Sequence, residues 1–153
     1  MSLDKQQFKI GIIKPILKEM KAYSKEASNL IWGTISQESL RGRYIRQIGC
    51  SHSVGGFGMI QMELATAKDI LNNYIEYRPN LQVLYHKYYN QELTLKQNLT
   101  GNMHFQVFMC RCHYLRVPES IPTYTKGQAM YWKKHYNTVK GKGTAEDYMR
   151  NIR

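Results

Sequence analysis

Residues 95–115, LKQNLTGNMHFQVFMCRCHYL, carry the strongest fold signal in the chain. Apolar residues recur there at helical spacing along two stripes, Leu99, Met103, Val107, Cys110 and Tyr114 on one and Phe105, Phe108, Cys112 and Leu115 on the other. A helix that is apolar around most of its circumference must be buried by its neighbours. The segment therefore predicts a central helix enclosed by other helices.

Helical periodicity on both sides of this segment predicts a mainly α protein, and 153 residues suit one domain. We expect further helices over residues 15–23, 25–43, 67–75, 81–88, 129–136 and 145–152. Thr66 with Asp69, and Thr144 with Asp147, have the spacing of capping boxes, and Pro79 is expected to end the helix before it. Residues 1–24 are interpreted as a helical extension packed on a domain of residues 25–153.

The charge balance favours anionic partners. Lys and Arg number 22 against 11 for Asp and Glu, a net charge of +11, which attracts nucleic acid, anionic membrane surfaces or acidic wall polymers. The cysteines are odd in number, so no disulfide framework is expected. Cys110 and Cys112 lack a second pair at zinc spacing, so we predict neither a metal site nor a cofactor.

Glu38 is out of place in the helix expected over residues 25–43. At about 100° per residue it falls inside the apolar stripe, between Leu30 and Ile31. A carboxyl group in that position is desolvated, and its pKa rises. A carboxylic acid that keeps its proton near neutral pH is suited to general acid catalysis. The alternatives are that the helix ends earlier, or that Glu38 pairs with Arg41 or Arg43.

Several short motifs accompany Glu38 along the chain. They are Glu38-Ser39, a Gly- and Ser-rich stretch over 47–58, Gly58-Met59-Ile60-Gln61, Ala65-Thr66-Ala67, Asn98-Leu99, Tyr114-Leu115 and Tyr136-Asn137. Their order over residues 30–143 resembles the lytic transglycosylases with a lysozyme-like fold, the soluble lytic transglycosylases and their goose-type lysozyme relatives. Leu64 stands where that family often has proline, and residues 138–140 replace its Ala-Gly.

The resemblance implies a single lysozyme-like helical domain with a Gly-rich active-site loop. The substrate would be the glycan strand of peptidoglycan, cut at the β-1,4 bond from N-acetylmuramic acid to N-acetylglucosamine with a 1,6-anhydro product. Glu38 would be the single catalytic residue, and the hydroxyl of Tyr136 would orient it. Asn98 is also interpreted as a helix cap. The substrate-binding residues implied are Ser39, Gly58, Met59, Gln61, Asn98 and Tyr136.

Three other functions stay open. Glu63 as a second carboxylate would allow lysozyme-like hydrolysis, whereas Asp69 is assigned to the capping box. A virion or secretion-apparatus module could keep the fold with weak activity. Nucleic-acid binding has support from the charge and from basic-aromatic runs over 85–89 and 131–136, but no reader motif is present, so it is the least favoured.

The expected place of action follows from two absences in the sequence. Residues 1–21 have scattered charges and no apolar h-region, so we expect no secretory signal, and no apolar run is long enough to span a membrane. We therefore expect synthesis in the cytoplasm and action on the cell wall, as in phage or prophage proteins. Peptidoglycan strands are the expected partner, with other virion or secretion-apparatus proteins as further ones.

Overall fold

The computed structural model describes residues 2–46, 55–137 and 141–153, and this part of the chain is mainly helical, as predicted. In chain order the helices are α1 (Lys5–Phe8), α2 (Lys14–Glu19), α3 (Lys25–Ser39), α4 (Leu64–Asn73), α5 (Pro79–Tyr88), α6 (Leu95–Gly101), α7 (Met103–Leu115), α8 (Thr125–Trp132) and α9 (Ala145–Asn151). π-helical turns occupy Lys9–Ile13 and Lys133–Asn137, and a 3₁₀ turn occupies Ile75–Tyr77. No helix in the described ranges is both long and apolar enough to cross a membrane.

The centre of the fold is α7, which packs against α2, α3, α4 and α5. Most members of the two predicted stripes are buried, with Cys110 and Cys112 fully enclosed, whereas Met103 at the start of α7 is exposed. The prediction of one continuous helix over residues 95–115 is wrong, because α6 ends at Gly101 and α7 begins after Asn102. The side chain of Asn102 accepts a hydrogen bond from the Phe105 amide at 3.1 Å, since asparagine stabilises a helix start better than a helix interior.

The N-terminal helical region begins about ten residues earlier than predicted. Asp4 caps α1 by accepting a hydrogen bond from the Gln7 amide, and the chain runs through a π turn into α2, where Pro15 occupies the first turn. Proline has no amide hydrogen to donate. The π turn of residues Lys9–Ile13 lies directly before the turn that contains Pro15. Phe8, Ile13 and Leu17 from this region are buried in the common core.

The remaining helix boundaries agree in part with the sequence. Thr144 and Asp147 form the predicted capping box at the start of α9. The predicted box at Thr66 is wrong, since α4 already begins at Leu64 and the Asp69 carboxylate bonds elsewhere.

Two further boundaries differ from expectation. Pro79 opens α5 instead of ending the preceding helix, as its fixed φ suits a first helical position. Helix α3 ends at Ser39, four residues early, where Leu40 takes a left-handed conformation with φ 48°.

Gly33 in the middle of α3 allows α9 to approach closely. A Cβ atom at this position would lie 1.8 Å from the Tyr148 hydroxyl oxygen, so a larger residue would require the Tyr148 side chain to move. This contact and the packing of α8 on α9 bring the C-terminal part of the chain against the second half of α3. Glu38 lies in that half of the helix.

Candidate active site

A cleft of about 640 Å³ opens beside the C-terminal end of α3. Its walls come from α3, the segment before α4, α7, the π turn after α8 and residues 141–143. Of the residues that the sequence singled out, Glu38, Gln61, Glu63 and Tyr136 line it. Segments distant in sequence therefore meet at one site, with the out-of-place glutamate in its wall.

Glu38 is half-buried in this wall. Burial raises the pKa of its carboxyl from 4.5 to about 7, against the opposing effect of a hydrogen bond that the Trp132 indole N–H donates to Oε1 at 3.0 Å. Arg41 and Arg43 contact other groups, the carbonyl of Arg153 and the ring of Tyr44. The alternative prediction, that Glu38 pairs with Arg41 or Arg43, is therefore wrong.

Trp132 was not identified from the sequence. It is the last residue of α8, its side chain is fully buried, and its ring packs on that of Tyr148 with centroids 5.6 Å apart. The only available signal was its place four residues before Tyr136, in the same predicted helix. Its indole N–H favours the ionised form of Glu38, so it stabilises the carboxylate once the proton has left.

Tyr136 lies in the cleft, but its hydroxyl donates to the carbonyl of Ile60 at 2.6 Å. Burial, with the nearby Cys110 and Glu38, keeps the pKa of this phenol well above its usual value. The sequence predicted that this hydroxyl would orient Glu38, and in the structure the donor to Glu38 is Trp132 instead. Tyr136 fixes the turn that ends in Gln61.

Residues 58–61 form a tight turn beneath the cleft. Gly58 has φ +74°, and a Cβ atom there would lie 1.8 Å from the Leu99 carbonyl oxygen, so glycine is required by backbone packing. Met59 is buried, and its amide donates to Oε1 of Gln106 at 2.7 Å. Gln61 donates from its side chain to the Gly58 carbonyl at 2.8 Å, and of the predicted residues in this turn it is the one that reaches the cleft lining.

The side chains of Ser39 and Asn98 form hydrogen bonds with backbone groups, and neither residue lines the cleft. The Ser39 hydroxyl donates to the Ile35 carbonyl and accepts from the Gly42 amide, which closes the end of α3. Asn98 is fully buried, and its side chain accepts from the amide of Asn90 and donates to the carbonyl of the same residue. Its predicted role as a helix cap is wrong, because Thr94 caps α6.

His113 is a second cleft residue that the sequence did not identify. Burial, with the nearby Arg116, lowers its pKa to about 4, so the ring is neutral at pH 7. Arg116 Nη2 donates to His113 Nδ1 at 3.2 Å, and the imidazole packs on Tyr136 with ring centroids 4.8 Å apart. The residue stands in Cys-Arg-Cys-His, a pattern whose sequence suggests only a comparison with zinc motifs.

Lys133 connects two segments of the cleft wall, the π turn after α8 and residues 141–143. Its ammonium group donates to Asn137 Oδ1 at 2.7 Å and to the Gly141 carbonyl at 2.8 Å. Most of the predicted Gly- and Ser-rich loop, residues 47–54 with Cys50, and residues 138–140 lie outside the described residues.

The described lining of the cleft includes a carboxyl group whose pKa burial raises to about 7, that of Glu38. Within the described ranges, no cluster of three or more His, Cys, Asp or Glu residues is arranged to hold a metal ion. Glu63 is exposed at the N-terminus of α4 and adds a second carboxylate to the lining. No protein-family model, curated protein or solved structure matches the chain.

Proposed function

We propose that this protein is a peptidoglycan lytic transglycosylase with a lysozyme-like helical domain and Glu38 as its catalytic residue. The observation that carries the proposal is the environment of that side chain. Its carboxyl is half-buried in an open cleft and has a pKa of about 7. An acid with a pKa near the working pH is both a usable proton donor and, once ionised, a usable base.

The proposed reaction uses this carboxyl twice. Protonated Glu38 gives its proton to the oxygen of the β-1,4 bond as the N-acetylglucosamine leaves. The carboxylate then takes the proton of the C6 hydroxyl on the N-acetylmuramic acid, and O6 bonds to C1 to close the 1,6-anhydro ring. Glu38 ends protonated and no water is consumed, so one carboxyl suffices.

The groups around Glu38 suit both steps. The Trp132 indole N–H stabilises the carboxylate that exists between them. Gln61, held by its bond to Gly58, places an amide group in the cleft for the N-acetyl or hydroxyl groups of a sugar. The net charge of +11 would concentrate the protein on a wall whose peptides carry carboxylates, which makes the bacterial wall the proposed place of action.

Hydrolysis of the same bond is the second candidate, and Glu63 is the reason to keep it. Its carboxylate lines the cleft that holds Glu38, and glycosidases that use water employ a pair of carboxyl groups. Glu63 is exposed and would act as the base that activates water. The two candidates predict different products from the same substrate.

Digestion of purified peptidoglycan, with products identified by mass spectrometry, separates them. The wild type is expected to release 1,6-anhydro-muropeptides, and Glu38→Gln is expected to release none. Reducing-end products that disappear in Glu63→Gln would establish the hydrolase instead.

Glu92→Gln is the matched control, since Glu92 is exposed and lies outside the cleft lining. It should digest the wall like the wild type. Equal digestion by the wild type and folded Glu38→Gln would refute Glu38 as the catalytic residue.

A further inference from the structure

A second cavity, of about 500 Å³, lies between the start of α3 and the segment that follows α7. Leu115, Val117 and Ile121 form its apolar wall, and Ser24, Ser120 and Thr123 add hydroxyl groups. Glu38 is absent from its lining. The cavity is therefore distinct from the catalytic cleft.

Arg111 lies in this cavity with its charge unpaired. The residue is only 9% exposed, and Nε donates to the Ala22 carbonyl at 3.1 Å. Among the described residues, no carboxylate lies within salt-bridge distance of its guanidinium. A buried cation without a counter-charge is costly, and burial indeed lowers its pKa.

The N-terminus of α3 reaches the same cavity. Ser24 caps the helix and accepts from the Ala27 amide, which leaves the first-turn amides of Lys25 and Glu26 without acceptors inside the helix. Aligned peptide dipoles make this end of a fifteen-residue helix partly positive. Two independent features, a buried guanidinium and a helix start, therefore favour a bound anion.

The surrounding charges favour a single negative charge on that anion. Glu26 also lines the cavity, so a dianion would meet repulsion. Glu119, at the rim, is engaged by Lys134 and His135. With Nε used by Ala22, the two terminal nitrogens of Arg111 are left, and their fork matches the two oxygens of a carboxylate.

We infer that this cavity binds the C-terminal carboxylate of a short peptide, with Arg111 as its main ligand. The carboxylate contacts the guanidinium and the first turn of α3, and small apolar side chains lie on the wall formed by Leu115, Val117 and Ile121. The Glu26 carboxylate excludes phosphate and other multiply charged anions. The inference does not depend on the catalytic proposal.

Calorimetric titration of the full chain with N-acetyl-dialanine and with its C-terminal amide tests the site. The free acid is expected to bind at least about tenfold more tightly than the amide, since only the acid makes charge-assisted hydrogen bonds. Inorganic phosphate is expected to bind more weakly than the acid. Equal binding of acid and amide, tighter binding of phosphate, or no binding of the acid would each overturn the inference.

Variants locate the binding. Arg111→Gln should lose the preference for the acid, with Arg43→Gln, on an exposed arginine outside the cavity lining, as the matched control. If Arg111→Gln fails to fold without its bond to Ala22, Ser120→Trp serves instead, because Ser120 is exposed and the larger side chain fills the cavity mouth. Unchanged binding in folded Ser120→Trp would place the peptide elsewhere.

Discussion

Glu38 and Glu63 line the same cleft, but their surroundings give them different chemistry. Glu38 sits near the end of a largely buried helix, is half-buried and takes a hydrogen bond from a fully buried tryptophan. Glu63 precedes α4, is exposed and faces water. Burial holds the pKa of Glu38 near 7, so a proton is bound where the proposed reaction needs one.

The difference shows that the environment of a carboxyl group, and not the residue type, assigns its role. When only one of two glutamates in a cleft is desolvated, that one is the better candidate for a proton donor. The contrast also has an energetic side, because a carboxyl that resists ionisation destabilises the fold at a pH where it must ionise.

The largest expected effect is on the rate of glycan cleavage in Glu38→Gln. Loss of a general acid and base reduces the rate by roughly a thousandfold. The measurement is the release of soluble products from purified wall, with circular dichroism to confirm that the variant is folded. A decrease of less than about tenfold would mean that Glu38 does not donate the proton.

The second effect is on stability as a function of pH. The folded pKa of Glu38, about 7, lies above its ordinary value of 4.5, so the folded state binds the proton more tightly. The contribution of Glu38 to stability is complete below pH 4.5 and is lost as the pH rises to about 7, by at most about 3 kcal/mol.

Comparison with Glu38→Gln isolates this contribution. His113 acts with the opposite sign, because its lowered pKa makes stability rise with pH between about 4 and 6.5. The quantity to measure is therefore the difference in the free energy of unfolding between the two proteins, by urea denaturation from pH 4.5 to 8. We expect Glu38→Gln to gain stability relative to the wild type as the pH rises, and a constant difference would contradict the raised pKa.

The third effect concerns the hydrogen bond from Trp132. Trp132→Phe removes a donor to the carboxylate, so the pKa of Glu38 rises further, by about one unit. The measurement is the dependence of kcat/KM on pH. Its alkaline limb, which reports the loss of the proton from the acid, should move to higher pH by that amount.

Trp32→Phe is the matched control for this change. Trp32 is equally buried, but its indole N–H has no hydrogen-bond partner among the described residues. Its replacement should leave the pH profile in place. A shift of the same size in both variants would attribute the effect to packing instead of the hydrogen bond.

Much of the fold, and the position of Glu38 in the site, can be predicted from the helical spacing of apolar residues in the sequence. The apolar stripes of α7 and the placement of Glu38 inside an apolar stripe depend only on helical geometry, and both agree with the structure except at the exposed Met103. The break at Asn102 does not follow, because helical periodicity continues across it and the side-chain cap alone marks it.

The other half of the site depends on tertiary contacts. Trp132 is 94 residues from Glu38, and only the packing of α8 on α3 brings the two together. Ser39 and Asn98 have side chains suited to binding a sugar, yet they bond to nearby backbone. A polar side chain in a motif can bind a ligand or form hydrogen bonds with the backbone, and its burial in the fold decides which of the two it does.

The smallest effect is expected at Glu63. Because Glu63 is exposed and caps no helix through its side chain, Glu63→Gln should change the rate of glycan cleavage less than about threefold and stability by less than about 0.5 kcal/mol. The pH profile should keep the wild-type alkaline limb, since Glu38, the proposed proton donor, is intact. A loss comparable to that of Glu38→Gln would make the two glutamates partners, and the reaction would then be hydrolysis by a carboxyl pair.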